Sequence, residues 1–389
     1  MLEAFDLGEM HHLLPSLQRQ NLDSLSDEVL RRIFDYIQSS AEYSHPQLLL
    51  ASVTHHWREL AIGIPSLWTT IRINHDRQIS ALGEILLRSK NLPVAIYIRL
   101  DAFRYRFFTE YLDAIDALVP HIARWRSLSI IATNPVLHNI RNRIQNQPML
   151  ALEHFELVQS DSGRIQHLGP FIFEPSVFRS LRLERTMMYA ADASLLAGLT
   201  HIELVQSSLA MLDEHKLLSL EYPTHEPRPP SMLALQHLVL DASNPVHESD
   251  GLPYSPAFTS NNLASVSFAH LAAPSMDLVQ ALSRVYGTAL SAPHLRCVSI
   301  ADIAGHALVM LLSVVRSLAF PLLDRLELAG IDTAGIDDRV MCAFTKGVRE
   351  LVLARLDAGP ILGRLVDPTV LPVLERIELD GVEIFRPST

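Results

Sequence analysis

Only two cysteines, Cys297 and Cys342, occur in 389 residues. So few permit neither a disulfide framework nor a cysteine-rich zinc site. Lysine is almost as scarce, with Lys90, Lys216 and Lys346 standing against 29 arginines. Positive charge is in deficit overall, and the formal net charge is −11. The chain therefore lacks the basic surface that a phosphate backbone requires, and no nucleic-acid partner is expected. Long apolar runs are missing too. The longest largely apolar stretch, Ala307 to Val315, is far shorter than the ~20 residues of a membrane-spanning helix. The first residues, MLEAFDLGEM, are acidic where a secretory signal is basic. The expectation is a cytoplasmic or nuclear protein with no membrane partner.

Catalytic motifs are also absent. There is no Gly-rich phosphate loop, no G-x-S-x-G elbow and no H-E-x-x-H helix. His11-His12 and His55-His56 are adjacent pairs, and neighbours on a helix point in different directions. No enzyme activity, cofactor or metal is expected. What the chain does have is apolar content: 48% of residues are hydrophobic and 19% charged. That supports a substantial core and one large or two ordinary domains.

The densest pattern lies at residues 22–68. Leu30, Ile33, Phe34 and Ile37 recur at helical spacing. Ser24 or Ser26 can cap that helix, and Asp27 with Glu28 place negative charge at its favourable end. Pro46 suits the first position of a second helix, along which Leu49, Val53, Trp57 and Leu60 form another stripe. So small a unit has too little interior for all these side chains, and some of its apolar surface must meet another domain or chain.

This segment resembles the F-box, the adaptor-binding module of cullin-type ubiquitin ligases. The family pattern is matched by Leu25, Glu28, Val29-Leu30, Ile33-Phe34, Ile37, Leu48-Leu49, Val53, Trp57-Arg58 and the ending Pro65-Ser66-Leu67-Trp68. That ending is similar to F-box-like proteins of mushroom-forming fungi. Ser26 stands where the family usually has proline, and Thr54 where it commonly has cysteine. The resemblance implies docking on a Skp-type adaptor, and through it a cullin, with Leu25, Leu30, Ile33, Phe34, Val53 and Trp57 as adaptor-binding residues. The shortage of lysine fits a receptor held near ubiquitin-transfer machinery, and an arginine-biased composition would explain it equally.

Beyond residue 75 the motif apolar-x-x-apolar-x-apolar recurs ten times. Its copies start at Trp125, Leu152, Phe178, Leu199, Leu235, Leu263, Leu295, Leu323, Val348 and Leu374. The starts are 27, 26, 21, 36, 28, 32, 28, 25 and 26 residues apart, near the leucine-rich-repeat period of roughly 20–29. Eight residues after each start come Thr133, Ser160, Thr186, Ser207 and Ser243, then Leu271, Ile303, Ile331, Leu356 and Val382. The expectation is that the chain turns inward there, with hydroxyls satisfying turn backbone groups or aliphatics filling the same column. LEHFELVQS and LTHIELVQS, at 152–160 and 199–207, are near-verbatim copies. Helical spacing is expected over 112–119, 276–286, 307–318 and 337–344, whereas the stretch around Pro135 reads as irregular.

The fold class that follows is mixed α/β: an N-terminal helical F-box, then an irregular leucine-rich-repeat solenoid with a curved parallel sheet. The expected division is an extension at 1–20, a helical domain at 21–75 and a substrate-recognition domain at 76–389. Strands near 69–74 and 92–100, with a helix over 80–88 between them, read as an atypical capping repeat. Within each copy, the residues flanking the middle apolar position share the face opposite the core. That face carries His154, Glu156, Arg182, His201, Glu203 and His237, a candidate recognition patch for a cationic or hydrogen-bonding segment. Two Pro-rich insertions, 221–231 and 244–262, read as surface loops, with Tyr254 and Phe258 as candidate anchors. The functional expectation is the substrate receptor of a Skp-cullin-F-box ligase, with an unknown protein substrate. The alternative is a repeat scaffold without ligase function, its first helices serving only as a cap.

Overall fold

Residues 25–39, 46–74, 76–100, 108–145, 147–161, 166–168, 171–190, 197–211, 234–241, 262–270, 294–303, 322–331, 347–356, 373–379 and 382–385 are described by the structure, a computed structural model. The chain is mixed α/β with a parallel sheet, and it forms two compact units, Met1–Ile96 and Tyr97–Thr389.

In the first unit, helix α1 (Asp27–Ser39) opens with Asp27 and Glu28 in its first turn. Helix α2 (Pro46–Val53) begins at the expected proline. Helix α3 (His55–Gly63) is capped by Thr54, whose hydroxyl accepts from the Trp57 N–H at 3.2 Å. The threonine that departs from the F-box pattern therefore has a local task, holding one otherwise orphaned helix-start donor. A 3-10 turn, Pro65–Trp68, follows. Trp68 is 1% exposed, and its indole N–H donates to the Ala61 carbonyl at 2.9 Å.

Strand β1 (Thr70–Ile73), helices α4 (Asp76–Ser80) and α5 (Leu82–Arg88), and the start of strand β2 (Val94–Leu100) complete this unit. Compactness thus groups α4 and α5, which lie beyond the expected division at 75, with the helices and β1. The cause is packing around Trp68: the Arg88 guanidinium lies 4.4 Å over its ring, and Ala95 N–H donates to the Thr69 carbonyl at 2.8 Å.

The second unit contains helix α6 (Phe108–Leu118), strand β3 (Trp125–Ala132), helix α7 (Asn134–Ile144) and a short strand β4 (Pro148–Met149). Then come β5 (His154–Gln159), β6 (Gln166–Leu168), β7 (Ile172–Phe173), β8 (Ser180–Glu184), β9 (Thr186–Ala190), β10 (His201–Val205) and β11 (Ser208–Met211). The last seven are β12 (His237–Asp241), β13 (Ser265–Ala269), β14 (Cys297–Ala301), β15 (Arg325–Ala329), β16 (Glu350–Ala354), β17 (Arg376–Leu379) and β18 (Val382–Phe385).

Each of the ten motif copies supplies one strand. In the order β3-β5-β8-β10-β12-β13-β14-β15-β16-β17 every neighbour is parallel and paired in the register the motif predicts. Strand β18 closes the order antiparallel to β17. All three apolar positions are buried in the first nine copies. In the tenth, Leu374 is buried while Ile377 and Leu379 are half-buried. Phe155, Phe171, Phe173 and Phe178 join the second and third copies, with Phe173 stacked on Phe178 at 4.4 Å.

Two backbone ladders tie the copies together. Before the strands, a carbonyl in one copy accepts two N–H donors from the next: Arg179 O takes Thr200 and His201, and Thr200 O takes Gln236 and His237. The pattern continues to Arg349 O, which takes Glu375 and Arg376. After the strands, the seventh residue from each start is left-handed at Arg185, Gln206, His270, Asp302, Gly330 and Arg355. The N–H groups of the first five reach the last carbonyl of the next strand, from Arg185 to Val205 at 2.8 Å through to Gly330 to Ala354 at 2.9 Å. An L-residue in this conformation costs about 1–2 kcal/mol, which the backbone hydrogen bond it makes to the next copy helps to offset.

That left-handed step carries the eighth residue inside. Thr186, Ser207, Ile303 and Ile331 are buried and Leu356 is half-buried, while Ser243 and Leu271 lie outside the described residues. The Ser207 hydroxyl accepts from Thr186 N–H at 3.0 Å and donates to Val205 O at 2.8 Å, as expected of a hydroxyl in this column. The first two copies depart from it. Their strands run longer, so Gln159 at the seventh position is buried and Ser160 is exposed, while Thr133 stands at the start of α7.

The stretch around Pro135 is helical, correcting the irregular reading. Proline at the first helical turn lacks only an N–H that has no helical partner there, and Val136, Leu137, Ile140 and Ile144 form a buried stripe. The outer layer also holds short parallel strands that the sequence pattern did not reveal, β6-β9-β11 and β4-β7. The helix expected over 112–119 corresponds to α6. The helices expected over 276–286, 307–318 and 337–344, the insertion 221–231, the insertion at 244–262 apart from Asn262, and the extension at 1–20 lie outside the described residues.

Candidate functional surfaces

The six adaptor-binding candidates do not share one environment. Leu30 and Phe34 are 0% exposed and Trp57 is 6% exposed. The Phe34 and Trp57 rings meet at 5.3 Å and 59°. These three, expected as adaptor contacts, lie in the interior of the helical unit in the chain by itself. The physical reason is the helix period: Leu30, Phe34 and Ile37 make one face of α1, against which α3 packs. Leu25 and Ile33 are half-buried and Val53 is exposed, so these three remain accessible.

The outward stripe of α1 lies one residue over. Val29, Ile33 and Tyr36 follow at i, i+4 and i+7, with Val29 and Tyr36 exposed, the latter at 78%. Val53 and Ile62 add exposed aliphatic surface on α2 and α3. Helical spacing alone could not tell these residues from the core stripe, because both run at the same period. Around them are polar contacts: His56 Nε2 lies 3.1 Å from Asp27, joining α3 to α1, and Arg32 lies 3.3 Å from Glu28.

In the second unit the face opposite the core is ordered as the motif spacing predicts. One row runs Ser127, His154, Ser180, His201, His237, Ser265, Cys297, Arg325, Glu350, Arg376 in continuous register. His154/Glu156 and His201/Glu203 sit two strands apart with Ser180/Arg182 between them. Arg182 is the hub. Its guanidinium lies 3.4 Å from Glu156, 3.2 Å from Glu184 and 3.5 Å from Glu203. The Ser129 hydroxyl donates to Glu156. Burial pushes the Glu203 carboxyl above its ordinary range, Arg182 opposes that, and Glu156, Glu184 and Asp241 add to it.

The His201 and His237 rings stack at 4.4 Å and 24°, and His237 Nδ1 is 2.7 Å from the Ser265 hydroxyl. Burial, then His237 and His154, lower the His201 pKa. A second charged group spans β15–β17: Arg325 contacts Glu327 at 2.7 Å and Glu350 at 3.0 Å, and Arg376 contacts Glu350 and Glu378 at 3.8 Å. Between the groups, Cys297 is a half-buried thiol whose pKa is raised to about 11, chiefly by burial. At pH 7 it is protonated and a poor nucleophile.

Sequence reasoning omitted Glu184 and Asp241, which continue the same face at the sixth position; the period of two would have found them. It also omitted a chain of pairs just past the strands. His270 lies between Asp241 at 3.0 Å and Asp302 at 3.5 Å, and Arg355 reaches Asp302 at 2.8 Å. Tyr254 and Phe258 lie outside the described residues. Among the described residues no three His, Cys, Asp or Glu side chains converge as a metal site, and no helix is long and apolar enough to cross a membrane. No protein-family model matches the chain, and no curated protein is significantly similar to it.

Proposed function

We propose that the chain is a substrate receptor of a Skp-cullin-F-box ubiquitin ligase, its helical unit docking on a Skp-type adaptor and its repeat unit, a leucine-rich-repeat solenoid, holding a target protein. The observation that carries this reading is the exposed aliphatic and aromatic surface of the helical unit. Val29, Tyr36, Val53 and Ile62 stay in solvent although Leu30, Phe34 and Trp57 already close the core. Interfaces draw their affinity from such anchors when a partner desolvates them. The ten in-register copies support the target-binding half, since stacked repeats make a broad, rigid surface on which loops and side chains can be varied.

The receptor performs no chemistry. It raises the local concentration of a target lysine beside a charged conjugating enzyme, an effect of placement. The test is co-purification of the full chain with a recombinant Skp-type adaptor. A Val29→Asp/Val53→Asp variant, altered only on the surface, should keep its fold and lose the complex. A folded wild type that forms no complex favours the scaffold reading, with the helices as a cap.

A further inference from the structure

The charges on the open face of the repeat sheet fall into two groups; between β10 and β15 lie β12, which carries His237, Val239 and Asp241, and then an uncharged lane on β13 and β14. On β5, β8 and β10, Glu156, Glu184 and Glu203 surround the single guanidinium of Arg182. On β15, β16 and β17, Glu327, Glu350 and Glu378 share Arg325 and Arg376. Six carboxylates thus face three guanidiniums, and both groups are left with negative excess. The lane on β13 and β14 consists of Ser265, Ser267 and Ala269 paired with Cys297, Ser299 and Ala301. No side chain there is longer than a cysteine and none carries charge.

We propose that this face binds a basic, extended segment of a partner protein that crosses the strands, with one cationic residue at the Glu156/Glu203 group and another at Glu327. The inference rests on the repeat unit being the target-binding half of the proposed function. Charge decides the occupant. Three carboxylates crowd one guanidinium at the first group, and an arriving ammonium or guanidinium relieves their mutual repulsion. An acidic segment, a nucleic acid or an anionic lipid would add to that repulsion. The short side chains of the lane let a main chain approach the sheet, and the three serine hydroxyls can hydrogen-bond to it.

Geometry sets the spacing. Glu203 on β10 and Glu327 on β15 are four strands apart in the order β10-β12-β13-β14-β15, about 19 Å at ~4.8 Å per strand. An extended chain covers that distance in about six residues at ~3.3 Å each. The preferred segment therefore has two basic positions about six residues apart, with small uncharged residues between.

The test uses the full chain and labelled Gly/Ser peptides of about 15 residues, read by fluorescence anisotropy at low salt. One peptide carries two arginines about six residues apart, a second carries them about two apart, and a third has glutamates in place of the arginines. The first should bind about ten-fold tighter than the second, and the third should not bind. Glu156→Gln/Glu203→Gln should weaken the first peptide about ten-fold. Glu28→Gln/Glu59→Gln, the same charge change on the helical unit, should leave it unaltered. Absence of binding, indifference to spacing, or equal losses in the two double variants overturns the proposal. Adaptor co-purification from the same preparation reads the ligase function separately: peptide binding without the adaptor complex keeps this inference and removes that function.

Discussion

The carboxylate of Asp302 reaches past Gly330 to Arg355, with Oδ2 2.8 Å from the guanidinium, and Gly330 is what leaves it room. The three residues follow β14, β15 and β16 at the same left-handed position, so the ion pair skips one copy of the repeat. A Cβ at residue 330 would run into Asp302 Oδ1. Every other described left-handed residue in this column is not glycine, so the backbone alone does not demand glycine here. Gly330→Ala should cost about 2–4 kcal/mol, combining the left-handed penalty with displacement of the carboxylate. Asp302→Ala/Gly330→Ala should cost at least about 1 kcal/mol less than the sum of the single changes. Chemical denaturation measures both, and strict additivity would show that the two residues do not compete for space.

Gln47 is 1% exposed, and among the described residues neither end of its amide has a hydrogen-bond partner. A buried polar group left in this state costs about 1–3 kcal/mol. Gln47→Met keeps the length of the side chain and removes the polar atoms, and it should stabilise the protein by about 1–2 kcal/mol. A loss of stability in thermal unfolding would mean that the amide is satisfied in solution.

Glu203 and His201 give opposite pH signatures. Burial, with Glu156, Glu184 and Asp241, raises the Glu203 pKa above 4.5 against the pull of Arg182. The native state then holds that proton more tightly than the unfolded chain, so stability falls as pH rises from 4.5 through the raised value. Glu203→Gln should raise Tm at pH 7, and the difference should vanish below about pH 4.

For His201, burial and the neighbouring His237 and His154 lower the pKa below 6.5. Its contribution is present above 6.5 and is lost as pH falls through the native value. His201→Asn should flatten the stability profile in that acid window. Identical Tm–pH curves for wild type and variant would sink the assignment.

Phe34→Ala or Trp57→Ala should each cost about 3–5 kcal/mol, because each opens a cavity where the two rings meet at 5.3 Å. Val53→Asp on the exposed surface should change stability by no more than about 0.5 kcal/mol. Circular dichroism melts of the three variants separate core from surface. A Trp57→Ala variant as stable as wild type would return that residue to the contact surface.

Much of the fold was legible because it repeats. The spacing of Leu-x-x-Leu-x-Leu copies placed all ten strands and both rows of the open face in correct register, since a side-chain period of two leaves no other way to bury the leucines. Helix α7 was not legible, because Pro135 obscured a stripe that begins one residue later. The strands β6, β9 and β11 escaped for a different reason: they lie outside the apolar-x-x-apolar-x-apolar motif, and β9 and β11 follow left-handed steps at Arg185 and Gln206 that no residue pattern announces.

The amino-acid sequence by itself determined the helical unit, the repeat count, the register and the chemical character of the exposed rows, all of which follow from local periodicity. Only the tertiary structure decided which stripe of α1 is core and which is surface. It also decided that Arg182 is shared among three carboxylates, that His201 stacks on His237, and that Asp302 needs a glycine beside it. Apart from Arg182 with Glu184, those relationships join residues 21 to 53 positions apart, and no local period encodes them. They arise where stacked copies bring distant side chains within a few ångströms, and there distance, burial and charge decide the outcome.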